Sequence, residues 1–209
     1  MQVRLLGCLM EKERVTPDAY PLTMNGLLAA ANQTSNRNPV VRLEEHTVAN
    51  ALENLRGDKR VRVVYSRSNR ADRYRHVLDE ALGLGPPELA LLCMLMLRGA
   101  QTASELRARC ERLHSFASPA DVDSALRAMA EREQPLVSRL ARQPGQKEPR
   151  WAQTLGGDLP AQSAVAPSSE DRSMPIVERL AVLEARVDEL FAEVAALREA
   201  GIVSLPPGA

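Results

Sequence analysis

The chain has 209 residues, 27 acidic and 27 basic side chains, and an aromatic content of only 3%, so the length allows one or two domains whose cores are built from Leu, Val, Ala and Met. Three dispersed cysteines, Cys8, Cys93 and Cys110, without C-x-x-C spacing, argue against a disulfide framework or a zinc site, and Cys8 and Cys93, within apolar helical runs, fit buried, inert thiols. The longest apolar run, LALLCMLML at 89–97, is about half a membrane span and no secretory signal precedes the first helix, so a cytoplasmic protein without membrane contact is expected.

In QVRLLGCLMEKER (2–14), Val3, Leu6, Leu9 and Met10 share one face at helical spacing and predict a first helix. Pro17 and Pro21 break the pattern, because each disfavours the α region for the residue before it. A second helix is expected over 22–33, with Leu27, Leu28 and Ala31 inward and Thr23 as a cap. NQTSNRNP then reads as turns, since Asn and Ser bond to nearby backbone. A third helix is predicted over Glu45–Asp58, burying Val48, Ala51, Leu52 and Leu55 and turning His46, Thr47, Asn50, Glu53 and Asn54 outward. Gly57 and Asp58 stop it, RVRVVYS alternates as a strand, RSNRA turns and DRYRH returns.

The unit then repeats. Val48, Ala51, Leu52 and Leu55 recur 74 positions later as Val122, Ala125, Leu126 and Met129, and a second hairpin pattern follows. Before them, Pro87 and Glu88 open a helix carrying Leu91, Leu92, Leu95 and Met96 that stops at Gly99. TASE at 102–105 has capping-box spacing ahead of Leu106, Cys110 and Leu113, and Ser118, Pro119 and Asp121 start the next helix in the same way. PLVSRLAR, the turn QPGQKEP and RWAQ complete the copy. Helices feeding a two-stranded hairpin form the pattern of a winged helix-turn-helix. The expected class is therefore mainly α with small β-hairpins (α+β), as two tandem winged-helix domains over 1–78 and 79–155.

Residues 156–175 are poor in large apolar side chains and read as a flexible linker. Beyond it a heptad seam runs to residue 200, with Leu180, Val187 and Val194 at a and Ile176, Leu183, Leu190 and Leu197 at d. Val at a with Leu at d favours a parallel pair, so a coiled-coil homodimer is expected, with a lone helix folded back on the body as the alternative.

The strings EKERVTPDAYPLTMNGLLAAANQTSNRNPV, LRGAQTASELRARCERLHSFA and VSRLARQPGQKEPRW resemble the uncharacterised bacterial YceH-like family over about three quarters of the chain. The resemblance implies a tandem winged-helix fold with no assigned activity. The chain departs from that pattern in three places. It starts inside the first helix, where relatives carry more residues, so a start further upstream is expected. Glu44 stands where relatives tend to have a capping Ser, and SRSNRAD replaces a glycine-bearing wing turn.

The neutral total hides a gradient of +5 over 1–76, zero over 77–154 and −5 over 155–209. Residues 56–75 alone carry eight basic side chains against two acidic ones, Asp58 and Asp72, a cluster that attracts polyanions. This points to double-stranded DNA as partner: the third helix in the major groove, with His46, Thr47, Asn50 and Asn54 toward base edges and Arg67, Arg70 and Arg73 on phosphates. The matching face of the second copy, Ala120, Asp121, Ser124, Arg127 and Glu131, carries little positive charge and suits packing against the first domain or a protein partner. The competing expectation is a protein-protein scaffold that uses both units without reading DNA sequence. His46, His76 and His114 are scattered and expected at the surface or an interface; no nucleophile-elbow, phosphate-loop or H-E-x-x-H string occurs, and Glu11 and Glu13 fall on different helix faces. Neither an enzyme nor a cofactor or metal site is expected.

Overall fold

The computed structural model describes residues 1–65, 71–142 and 145–157; the expected linker from residue 158 onward and the whole heptad seam lie outside them. The described residues are mainly α with small antiparallel β-hairpins. Helix α1 (Gln2–Val15) is followed by a 3-10 turn at Pro17–Ala19, a short strand β1 (Leu22–Thr23), and helices α2 (Met24–Ala31) and α3 (Glu45–Gly57). Strands β2 (Val61–Val64) and β3 (Arg73–His76) form the first hairpin, and β1 adds to the far side of β3, giving a sheet ordered β1-β3-β2 with every pair antiparallel. The second helix thus begins two residues later than expected, because Leu22 and Thr23 pair with Tyr74 and Arg73. Thr23 still caps α2, accepting from the Gly26 N–H at 3.2 Å.

Helix α4 (Leu78–Leu82), which has no counterpart among the expected elements, joins the halves. The second half repeats the order with α5 (Pro86–Arg98), α6 (Ala103–Cys110), α7 (Pro119–Ala130), β4 (Val137–Arg139) and β5 (Trp151–Gln153). Here a single antiparallel bridge between Gln101 and Trp151 stands where β1 stands in the first half. The buried amide of Gln101 bonds Met94 and Gly99 carbonyls and accepts from Arg109, which satisfies it without water.

The two first helices, α1 and α5, pack along one another at the centre of one continuous core. Eight consecutive residues are buried in each, Arg4–Glu11 and Ala90–Leu97, so these helices have almost no solvent face. Gly7 makes the close approach possible: a Cβ there would lie 2.9 Å from Leu97 and 3.1 Å from the Met96 Cβ. The three thiols are buried. Desolvation pushes Cys8 to about 11 and Cys110 to about 12, and raises Cys93 as well, so all three are neutral thiols near pH 7.

Capping separates the equivalent helices of the halves. Thr102 and Ser118 both make reciprocal capping boxes, with Glu105 and Asp121, whereas Glu44 makes no side-chain cap for α3. Ser118→Ala should cost about 1 kcal/mol, and Glu44→Ser should gain a similar amount or somewhat less. Urea unfolding midpoints of the two variants would check this; shifts of the same sign would show that the caps do not limit stability.

Candidate nucleic-acid interface

Helix α3 is held by Val48, Ala51, Leu52 and Leu55, all buried. Its approach is set by Asn32, whose amide donates to the Leu43 carbonyl at 2.9 Å and accepts from the Leu43 N–H at 2.7 Å. With that face inward, His46, Asn50, Glu53 and Asn54 are exposed and Thr47 is half-buried. The structure therefore brings His46, Thr47, Asn50 and Asn54 together on one outer face, as the helical wheel predicts. His46 rests against Glu44 and Thr47, both 3.3 Å away. Glu53 accepts from Arg56 at 2.6 Å, so the carboxylate on this face is matched by a neighbouring cation.

The hairpin beside α3 is less positive than its sequence suggests. Arg62 and Arg75 are cross-strand partners, and such like charges repel unless a counter-charge intervenes. Glu80 of α4 supplies it, pairing with Arg62 at 3.2 Å and with Arg75. Arg73, expected on phosphate, instead donates to the Pro21 carbonyl at 2.8 Å and so clamps β3 to the β1 edge. Lys59 is exposed and, like the half-buried Arg60, makes no ion pair among the described residues. Tyr65, directly after β2, is one of the few exposed large apolar side chains among the described residues. Arg67 and Arg70 lie outside the described residues, as do Ile176, Leu180, Leu183, Val187, Leu190, Val194 and Leu197 of the expected dimer seam.

Glu80 is the contributor that counting charge over 56–75 misses, since it enters from the next helix. His76, expected at the surface or an interface, is buried. Its Nδ1 accepts from the Leu78 N–H at 3.3 Å, which leaves Nε2 to donate to Glu13 at 2.9 Å. The Tyr20 hydroxyl accepts from the His76 backbone N–H at 2.9 Å, and burial, with Glu13 nearby, raises the phenol above its ordinary range. Glu13 thus faces His76 while Glu11 faces Arg37. The two carboxylates diverge.

In the second half, Ala120, Asp121, Ser124, Arg127 and Glu131 of α7 are exposed. Asp121 is occupied in the capping box and Arg127 is paired with Asp123 at 2.8 Å. Asp123 also accepts from the Trp151 indole at 3.2 Å, locking the hairpin to α7. This face offers no free cation for a phosphate. Among the described residues no group of three or more His, Cys, Asp or Glu could hold a metal ion, and no helix is long and apolar enough to cross a membrane.

Comparison with known proteins identifies relatives along nearly the whole chain. A UPF0502 protein of Pelobacter propionicus is 50% identical over 203 residues, covering 94% of this chain and 91% of the relative. One from Geobacter sulfurreducens is 50% identical over 194 residues, 91% of this chain and 88% of its own. A third, from Chromobacterium violaceum, is 42% identical over 201 residues, 95% and 89% of the two chains. The model of the family described as "Protein of unknown function, DUF480" matches residues 1–146, and the chain belongs to that family, in agreement with the YceH-like resemblance of its motifs.

Proposed function

We propose that the protein is a non-enzymatic, DNA-associated tandem winged-helix protein, resembling transcription regulators, whose first half meets duplex DNA through α3 and the adjoining wing. The observation that carries this is the outer face of α3, where Asn50 and Asn54 stand exposed one turn apart beside His46 and Thr47. An asparagine amide can pair donor and acceptor with an adenine edge. The element order and the β1-β3-β2 sheet support the winged-helix assignment, because that topology sets a third helix beside a hairpin. Arg67, Arg70, Lys59 and Arg60 would meet phosphates, and the seam from Ile176 to Leu197 would pair two chains so that two wings address one duplex.

One observation favours a second function, a protein-protein scaffold. Arg62 and Arg75 share the single Glu80 carboxylate, Arg56 is paired with Glu53, and Arg73 donates to a backbone carbonyl. A fluorescence-anisotropy titration against random-sequence duplex at two salt concentrations separates the two. A dimer using about six phosphates should weaken by about a thousandfold between 50 and 200 mM salt. A chain ending before residue 176 should run as a monomer, at less than half the parent's molar mass in solution, and show a lower affinity. Absence of binding at the lower salt would remove the DNA assignment and leave the scaffold.

A further inference from the structure

Away from α3, helices α1, α5 and α6 and the loop before α3 enclose a cleft of about 380 Å³, a size suited to a small molecule. Three arginines line it, Arg98, Arg109 and Arg112, together with Glu11 and with Val15, Met94 and Leu113 as its apolar part. Converging like charges are unfavourable unless a counter-charge is at hand. The carboxylates within reach are already committed. Glu11 is held by Arg37 through two bonds of 3.1 and 2.6 Å, and Glu105 by Arg150 through two of 2.9 and 3.0 Å.

What remains for the three arginines is mostly neutral. Arg98 donates to the Asn36 side-chain oxygen at 2.8 Å, and Arg109 to that of Gln101 at 2.6 Å, with the already shared Glu105 at 3.7 Å. Arg112 has no ion-pair or hydrogen-bond partner among the described residues. Burial and, after it, the charge of Arg109 lower the Arg98 pKa, a sign that these two side chains feel one another.

We propose that this cleft binds a small organic anion, its oxyanion head held by Arg98, Arg109 and Arg112 and its apolar body laid on Val15, Met94 and Leu113. A phosphate or carboxylate matches the planar guanidinium fork, with donors already aimed by Asn36 and Gln101. The apolar floor favours a ligand with a hydrocarbon portion over a bare inorganic ion. The site is separate from the α3 face and does not depend on DNA binding.

Isothermal titration of the full chain at constant ionic strength tests it, with phenyl phosphate, benzoate, inorganic phosphate and benzyl alcohol as probes. Saturable binding is expected for at least one aromatic anion, weaker binding for inorganic phosphate and none for the alcohol. The stronger aromatic anion identifies the preferred head group. Arg98→Gln and Arg112→Gln should each weaken that anion about tenfold or more. Arg112 is exposed, so its variant should fold even if Arg98→Gln, which releases Asn36, does not; Arg142→Gln, outside the cleft, should bind as the parent does. No saturable heat up to about 10 mM, or undiminished binding by Arg112→Gln, would overturn the proposal. So would a loss of duplex affinity in both cleft variants with anion binding unchanged, which would assign these arginines to nucleic acid.

Discussion

Replacing Glu11 with alanine should destabilise the protein by about 3–5 kcal/mol, because it leaves the Arg37 guanidinium buried without a counter-charge. The Arg37 side chain is fully buried and Glu11 nearly so. Besides its two bonds to Glu11, Arg37 donates to the Ala30 carbonyl at 3.1 Å, the Asn36 carbonyl at 3.0 Å and the Gln33 side chain at 2.8 Å. Those neutral acceptors orient the cation but cannot neutralise it. Burial works to lower the Arg37 pKa, yet the Glu11 bonds and charge more than offset it and hold the group above its ordinary value. Against a typical total of about 5–15 kcal/mol, the expected loss is a large share. Glu11→Gln keeps the shape and one acceptor and should lose less. The double variant Glu11→Leu/Arg37→Met should fall less than the two single losses combined, since it removes both charges together. Urea denaturation of all four proteins would measure the coupling. A Glu11→Ala loss under about 1 kcal/mol would mean water reaches the pair, contrary to its burial.

The second large effect is expected at Gly7. Alanine there brings a Cβ within 2.9 Å of Leu97 and 3.1 Å of the Met96 Cβ. Leu97 can adjust its rotamer, but the Met96 Cβ is fixed to the α5 backbone, so the helices must part. Overpacking costs about 1–3 kcal/mol, while Gly→Ala in a helix interior returns about 1 kcal/mol of propensity. Gly7→Ala should therefore show only a modest net loss. Gly7→Val adds two more methyl groups without that gain, so its loss should lie at or beyond the top of the range. The same separation would stretch the contact from the Cys93 thiol to the Gly7 carbonyl, now 3.3 Å. Equal stability of the valine variant and the parent would show that α1 and α5 have room to spare.

Features governed by a few neighbouring residues were legible in the sequence. The Thr102 and Ser118 caps formed as their spacing predicts, because a capping box is chemistry within four residues. The stripe Val48, Ala51, Leu52 and Leu55 is buried and the polar face of α3 is outward for the same reason. Strand β1 leaves no mark in the sequence because two residues carry no periodicity; Leu22 and Thr23 become a strand only through their pairing with β3. NQTSNRNP is irregular, as its composition predicts, and Asn32 does bond backbone. The role of Arg37 within that stretch was invisible, since its partner Glu11 lies 26 residues earlier. The role of Glu80 is hidden in the same way: it is 18 residues from Arg62, and only the folded chain brings them together.

The contact between α1 and α5 joins equivalent elements of the two copies, the arrangement that a two-fold symmetric dimer presents when one surface meets itself. Here the two partners are written in one reading frame. Cutting between them would expose two apolar cylinders, so each half alone should be prone to aggregate, and the pair should melt in a single transition. Covalent fusion also frees the copies from having to stay identical. Their shared interior can remain matched while their outer faces diverge, so that one surface keeps the amides of Asn50 and Asn54 and the other takes on a mixed-charge face.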